Sequence, residues 1–239
     1  MKLNSTKIAI PVETPSIYRP RLLNALRENL NNGNATVVNG RAGTGKTLLA
    51  TDFARRCNRP VAWYKVDAPD AKLSIFIEYL VASVAQAFPG FGAKTQKQFP
   101  ENAVEFSLSK LVESFIYELE NQMEPLLLVL DDLHLIYDAE WLSPFFQRLL
   151  TLLPAEVHIL IIGRGLPPAP LWRMRSKHRL FVLNEQMLFF NTLEAEELFS
   201  AYGLSSKQAH LTLELTGGRA SNLRAAAIQA KADTIMDFG

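Results

Sequence analysis

The sequence predicts an α/β fold in three layers, a parallel sheet between helices, followed by a small C-terminal subdomain made of helices alone. Three observations predict it. Residues 35–49, ATVVNGRAGTGKTLL, carry the spacing G-x-x-x-x-G-K-[ST] through Gly40, Gly45, Lys46 and Thr47, a strand-to-helix turn built for phosphate. The runs PLLLVL at 125–130 and VHILII at 157–162 are almost wholly apolar, as central parallel strands buried on both faces are. Strand and helix patterns alternate over 35–183, and after Asn191 only helical patterns remain.

Taken in order, residues 1–17 with Pro11 and Pro15 read as an N-terminal arm, and Leu22, Leu23, Leu26 and Leu30 then share one helix face. Asn31 to Asn34 with Gly33 stop that helix. The phosphate-loop strand and its helix, with Leu48, Leu49, Phe53 and Ala54 at helical spacing, run to about Arg56. Residues 60–66, PVAWYKV, form a second strand, and Asp70 is placed to cap a helix reaching Phe88 with Phe76, Tyr79, Leu80, Val84 and Phe88 inward. Residues 89–100 read as a loop and 104–123 as another amphipathic helix. Ser143 and Pro144 suit the start of a helix to Leu153, and a last strand covers 180–183. In the tail, Asn191 with Glu194 and Ser205 with Gln208 are capping pairs, and Gly203 and Gly217-Gly218 are stops. The expected division is an arm over 1–17, an α/β domain over 18–187 and a helical lid over 188–239.

Composition bounds the function. The 239 residues are 48% hydrophobic and 21% charged with net charge +1, which gives no global field for nucleic acid or membrane. A single cysteine, Cys57, excludes an internal disulfide and reads as a small hydrophobe rather than a reactive thiol. The N-terminus lacks a signal-peptide core and no apolar run reaches spanning length, so the expectation is a cytoplasmic protein without membrane contact.

The chemistry gathers on the loop. Gly40, Gly43 and Gly45 let its backbone N–H groups approach phosphate oxygens, Lys46 reaches the β- and γ-phosphates, and the Thr47 hydroxyl ligates Mg²⁺. The helix that follows offers its unpaired N–H groups and positive dipole end to an anion. The nucleotide-binding set thus runs Gly40, Arg41, Ala42, Gly43, Thr44, Gly45, Lys46, Thr47 and Leu48. The run ending in Asp131-Asp132 supplies the second half. Asp131 is read as the metal carboxylate, acting through water, and Asp132 as the group that orients or deprotonates the attacking water, with a cap as its bland alternative. His134 either senses phosphate or metal or packs as a structural histidine under the following helix. Arg164 stands where VHILII runs out, and with an extra strand between the loop strand and the Asp-Asp strand it reaches the γ-phosphate; the alternative is a solvated arginine. Arg173, Arg175, Lys177 and Arg179 form a local basic cluster, either a solvated face or a partner site.

This is the three-layer P-loop NTPase plan of the ASCE type. Beyond it, Tyr18-Arg19-Pro20-Arg21-Leu22-Leu23, GRAGTGKT, PVAWYKVD, PLLLVLDDLHLI, ILIIGRGLPPAPLWRMR and LTGGRASNLRAAAI, in this order, resemble the ATPase domain of the MalT-like, large ATP-binding LuxR-family regulators in the STAND class. The resemblance covers about residues 18–230. It implies a transcription-regulating switch that holds ADP at rest and ATP when active, self-associates in the ATP state and resets by slow hydrolysis. It also places adenine contact on Tyr18, Arg19 and Pro20. Two departures stand out, Gly163 where the family has serine and no tryptophan in LTGGRASNL. The family's winged-helix, repeat and helix-turn-helix modules are not evident here, so DNA contact is expected only through a C-terminal domain absent from this chain. The rivals are a steadily hydrolysing AAA-type ATPase and a nucleotide-holding scaffold.

Overall fold

A computed structural model describes residues 3–12, 17–98, 107–165, 167 and 180–236. Its elements are α1 (Pro20–Asn32), β1 (Ala35–Asn39), α2 (Lys46–Arg56), β2 (Val61–Lys65), α3 (Leu73–Ala87), α4 (Ala93–Gln96), α5 (Leu108–Glu120), β3 (Leu126–Asp131), α6 (Leu142–Leu152), β4 (Val157–Gly163), β5 (Leu180–Leu183), α7 (Thr192–Ala201), α8 (Ser206–Thr216) and α9 (Ala220–Met236). The five strands are parallel in the order β2-β3-β4-β1-β5, so β4 is the extra strand between the phosphate-loop strand and the Asp-Asp strand.

Strand periodicity explains the layers. Val37, Leu126, Leu128, Leu130, Ile159 and Ile161 face one core with α3, α5 and α6, while Val38, Leu127, Val129, Leu160 and Ile162 face a second core with α1 and α2. Burial on both faces is why these strands carry no polar alternation. The helical tail has its own small core of Ala195, Leu198, Phe199, Ala209, Leu223 and Ala227. Both expected capping boxes form, Asn191 with Glu194 and Ser205 with Gln208. Gly203 and Gly217 take positive φ of 77° and 61°, which glycine adopts without a Cβ penalty.

Several local expectations are corrected by distant contacts. Asp70 does not cap α3. Its carboxylate is fully buried, takes Lys7 Nζ at 2.6 and 2.8 Å and accepts the Asp67 N–H, so it closes the turn Ala68–Ala71 instead. Lys7 belongs to the stretch read as an arm, where Ser5–Lys7 form a 3₁₀ turn and Asn4 N–H donates to the Tyr79 hydroxyl at 3.1 Å. Residues 89–98 are an ordered turn, because the buried Glu118 carboxylate accepts from the N–H groups of Gly92, Lys94 and Thr95 and from the Thr95 hydroxyl. The helix after it begins at Leu108, capped by Ser107, and α6 begins at Leu142, with Ser143 and Pro144 inside its first turn. Cys57 is half-buried, its Sγ donating to Ala54 O, and burial pushes its thiol pKa up. The basic cluster at Arg173, Arg175, Lys177 and Arg179 lies outside the described residues.

His158 on β4 gives the fold a pH signature. Its ring lies between the Thr36 hydroxyl (2.9 Å) and the Gly33 carbonyl (2.8 Å), and burial pushes its pKa down to about 4. A depressed folded pKa means stability that is complete above the unfolded value near 6.5 and lost as pH falls towards about 4, in all roughly 3 kcal/mol. In denaturant titrations the difference between wild type and His158→Gln is therefore expected to shrink by that amount from pH 7 to pH 4. A pH-independent difference would remove His158 as the titrating group.

Candidate functional site

The loop after β1 turns on Gly43 and Gly45, whose φ values are 80° and 82°. Side chains cannot follow the chain there, and a Cβ on Gly43 would stand 2.5 Å from the Ser221 hydroxyl. Four consecutive loop carbonyls have donors from this protein. Lys46 Nζ donates to Gly40 O at 2.6 Å and Arg41 O at 2.9 Å, Arg219 donates to Ala42 O at 2.5 Å, and Ser221 N–H donates to Gly43 O at 2.9 Å. Tethering the carbonyls leaves the N–H edge and the α2 N-terminus as the polar face offered to a ligand. Glu185 fixes the loop's first corner by accepting from both the N–H and Nε of Arg41 at 2.9 Å each. Thr44 is buried, its hydroxyl donating to Arg41 O at 2.9 Å.

Beside the loop, β3 brings Asp131 against α2. The Thr47 hydroxyl donates to Asp131 Oδ1 at 3.1 Å and contacts Oδ2 at 3.3 Å. Asp131 is 1% exposed, and burial, with the Asp132 charge second, pushes its pKa up to about 6. Asp132 occupies the left-handed region at φ 59° and caps nothing with its side chain, although it precedes the turn Leu133–Ile136. A non-glycine residue held there is strained, as functional positions often are. His134 Nδ1 lies 3.7 Å from Asp132 Oδ1, and burial lowers its pKa, so the ring is neutral. Arg164 follows the end of β4. It lines an open cleft of about 800 Å³ with Gly43, Gly45, Lys46, Thr47, Leu48 and Asp132, and the roof is Ala220, Ser221 and Arg224 of α9. Burial foremost, then Arg164, lowers the Lys46 pKa, which records two cations facing one space.

Next to the cleft is an apolar pocket lined by Ile17, Arg19, Leu48, Leu49, Asp52, Phe190 and Ala220. Arg19 is buried and joins the two units of the chain. Its guanidinium donates to Leu188 O (2.9 Å), Phe189 O (3.1 Å) and Glu194 Oε2 (3.0 Å), and it lies 4.3 Å from the Phe190 ring centre. Tyr18 lies outside the lining residues, its ring 5.1 Å from the Arg56 guanidinium, and Pro20 opens α1 at the position where a missing N–H costs nothing. Sequence reasoning missed Glu185, Phe190, Arg219, Ser221 and Arg224 as neighbours of the loop, and the bond from Gly165 N–H to the Asn39 side chain. Only the polar GGRAS stretch signalled any of them.

The oxygen set of Thr47 and Asp131 suits Mg²⁺, a hard ion that takes one or two protein oxygens and fills its octahedron with phosphate and water. No cluster of three or more metal-ligating side chains is found among the described residues, and such a site does not require one.

The model of the AAA ATPase domain matches residues 18–162. The chain belongs to the AAA ATPase domain family. This AAA domain is 31% identical over 195 residues to the HTH-type transcriptional regulator MalT of Yersinia enterocolitica, covering 81% of this chain but 21% of that protein. The chain thus spans about a fifth of that relative's length. Among solved structures it is similar to a Walker-type ATPase of Pyrococcus abyssi, with TM-score 0.53, 12% identity and coverage of 93% of this chain and 73% of that one. The ADP form of the Aeropyrum pernix ORC2 protein is similar too, with TM-score 0.54, 16% identity and coverage of 95% and 65%. At these identities the likeness is one of fold. The parallel-sheet P-loop NTPase architecture is therefore shared, and the resemblance to the MalT-like ATPase domain carries over most of the chain. No helix among the described residues is long and apolar enough to cross a membrane.

Proposed function

We propose that this AAA domain is the adenine-nucleotide switch of a MalT-like transcriptional regulator, holding ADP at rest, self-associating when Mg²⁺ and ATP are bound, and resetting by slow hydrolysis. The observation that carries the reading is the place of β4. Lying between β1 and β3, it brings Arg164 to the same cleft as Lys46, Thr47 and Asp132. A cation at the far side of a phosphate cleft gives ATP a contact that ADP cannot make.

In this reading the loop N–H groups from Gly40 to Leu48 and the α2 N-terminus hold the phosphates, and Lys46 spans β and γ. Thr47 and, through water, Asp131 hold Mg²⁺. Bound there, the ion neutralises charge on the phosphate oxygens. Asp132, free of any cap, accepts the proton of the attacking water. The base enters the pocket of Ile17, Leu48, Phe190 and Ala220, with Arg19 fixing its wall and Tyr18 and Pro20 bracing the element that carries it. Ser221 and Arg224 close over the phosphates from the lid, residues 188–239. DNA contact belongs to a separate C-terminal domain, as the resemblance to the LuxR-family regulators implies, and the domain works in the cytoplasm.

Two measurements test this. Chromatography of the nucleotide released on denaturation is expected to show ADP in near-stoichiometric amount, and a nucleotide-free preparation with rapid steady turnover would favour a steadily hydrolysing AAA-type ATPase. In calorimetric titrations Arg164→Ala is expected to weaken ATP about ten- to a hundredfold, the worth of a charge-assisted contact of roughly 1.5 to 3 kcal/mol, and to leave ADP unchanged. Matched losses for both nucleotides would take Arg164 away from the γ-phosphate.

A further inference from the structure

The end of the phosphate-loop strand holds the backbone on both sides of Arg164. The carbonyl of Gly163, the residue before it, accepts from Gly40 N–H at 3.4 Å, and the N–H of Gly165, the residue after it, donates to Asn39 Oδ1 at 2.8 Å. Asn39 is the last residue of β1 and pairs in register with Gly163, the last of β4. The parallel ladder stops there, and Gly165 takes a φ of 99°, in the region that favours glycine. The Asn39 amide oxygen therefore takes over where strand pairing ends and carries the tether one residue past the arginine. From the other neighbouring strand, the turn after β3 packs on the same point. The Tyr137 hydroxyl fills the space beside Gly163, where a Cβ would stand 2.9 Å from it.

We infer that Asn39 is a positioning residue for Arg164 and makes the phosphate loop and the arginine one rigid unit. The inference rests on the proposed reading of Arg164 as the γ-phosphate contact. A long, flexible guanidinium discriminates one phosphate only if its Cα is fixed, because otherwise side-chain and loop entropy consume the contact. Of the two bonds that straddle Arg164, the one at 3.4 Å lies at the limit of hydrogen-bond length and the Asn39 bond at 2.8 Å is well formed. ATP selectivity thus depends on Arg164 and also on a side chain, Asn39, that acts only through it.

Calorimetric titration of ATP and ADP, each with Mg²⁺, into wild type, Asn39→Ala, Arg164→Ala and the double variant tests this. Asn39→Ala is expected to weaken ATP roughly tenfold and ADP by less than about twofold, and the double variant to bind ATP no more weakly than Arg164→Ala alone. Should Asn39→Ala fail to fold, Asn39→Val, a strand former with no acceptor, is expected to give the same pattern. Equal losses for both nucleotides would assign Asn39 to the phosphate loop and overturn the inference, as would unchanged ATP affinity or losses that add in the double variant. If Arg164→Ala by itself leaves the ratio of ATP to ADP affinity unchanged, the γ-phosphate reading fails first and the role of Asn39 falls with it.

Discussion

Lys46→Ala is expected to abolish tight binding of both ATP and ADP while the fold survives. Among the described residues the ammonium donates only to carbonyls of its own loop, those of Gly40 and Arg41, so its removal takes no partner from either core. Arg41 O keeps the Thr44 hydroxyl as a donor, and the buried Gly40 O loses its side-chain donor, which puts the cost to stability at about 1 to 3 kcal/mol, less than the stability of a typical domain. For the nucleotide the loss is larger, since two charge-assisted contacts of roughly 1.5 to 3 kcal/mol each amount to about a hundredfold or more in affinity. Thermal unfolding reads both quantities. Nucleotide at a hundred times its Kd stabilises the wild type by about 2.7 kcal/mol, a rise of roughly 5 to 10 °C for a chain of this size, and Lys46→Ala is expected to show almost none of it. An equal rise in both proteins would show that the loop does not hold phosphate.

The second large effect separates two adjacent carboxylates. Asp131→Asn is expected to stabilise the nucleotide-free protein at neutral pH and to remove Mg²⁺-dependent nucleotide binding. Asp131 has its pKa raised from 3.8 to about 6, so its contribution to stability is complete below 3.8 and is lost as pH rises through about 6, roughly 3 kcal/mol in all. A buried carboxylate kept charged at that cost is explained by a cation-binding task, whereas a purely structural aspartate would destabilise the protein when replaced. Asp132→Asn is expected to leave Mg²⁺-dependent binding intact and to lower single-turnover hydrolysis by about 10² to 10⁴, the usual worth of a positioned base. Equal binding losses in the two variants, or destabilisation by Asp131→Asn, would contradict the assignment.

What the sequence shows of this molecule and what it hides follow one physical division. Central strands buried on both faces lose polar alternation, so Leu126 to Leu130 and Val157 to Ile162 announce themselves. The capping boxes at Asn191 and Ser205 are local devices and are equally legible. Asp70 is not, because the partner that claims it, Lys7, lies 63 residues away, and no local pattern announces that contact. The turn at Gly92 to Thr95 is hidden for the same reason, since its organising carboxylate, Glu118, is on another helix. At the candidate site the residues contributed by motifs, Lys46, Thr47, Asp131 and Asp132, could be named in advance, and Arg164 could be placed once the strand order was inferred. The residues that hold the loop in shape, Glu185, Arg219 and Ser221, reach it only by tertiary approach, as does Gly165, whose N–H donates to the Asn39 side chain.

The central claim is that the γ-phosphate, and not nucleotide as such, changes what this domain does. Sedimentation velocity with Mg²⁺ and either ADP or a non-hydrolysable ATP analogue tests it most directly, with Arg164→Ala run beside the wild type. The account predicts a larger, concentration-dependent species for the wild type with the ATP analogue only, and none for Arg164→Ala with either nucleotide. The same sedimentation coefficient for the wild type with both nucleotides, at saturation confirmed by calorimetry, would contradict it.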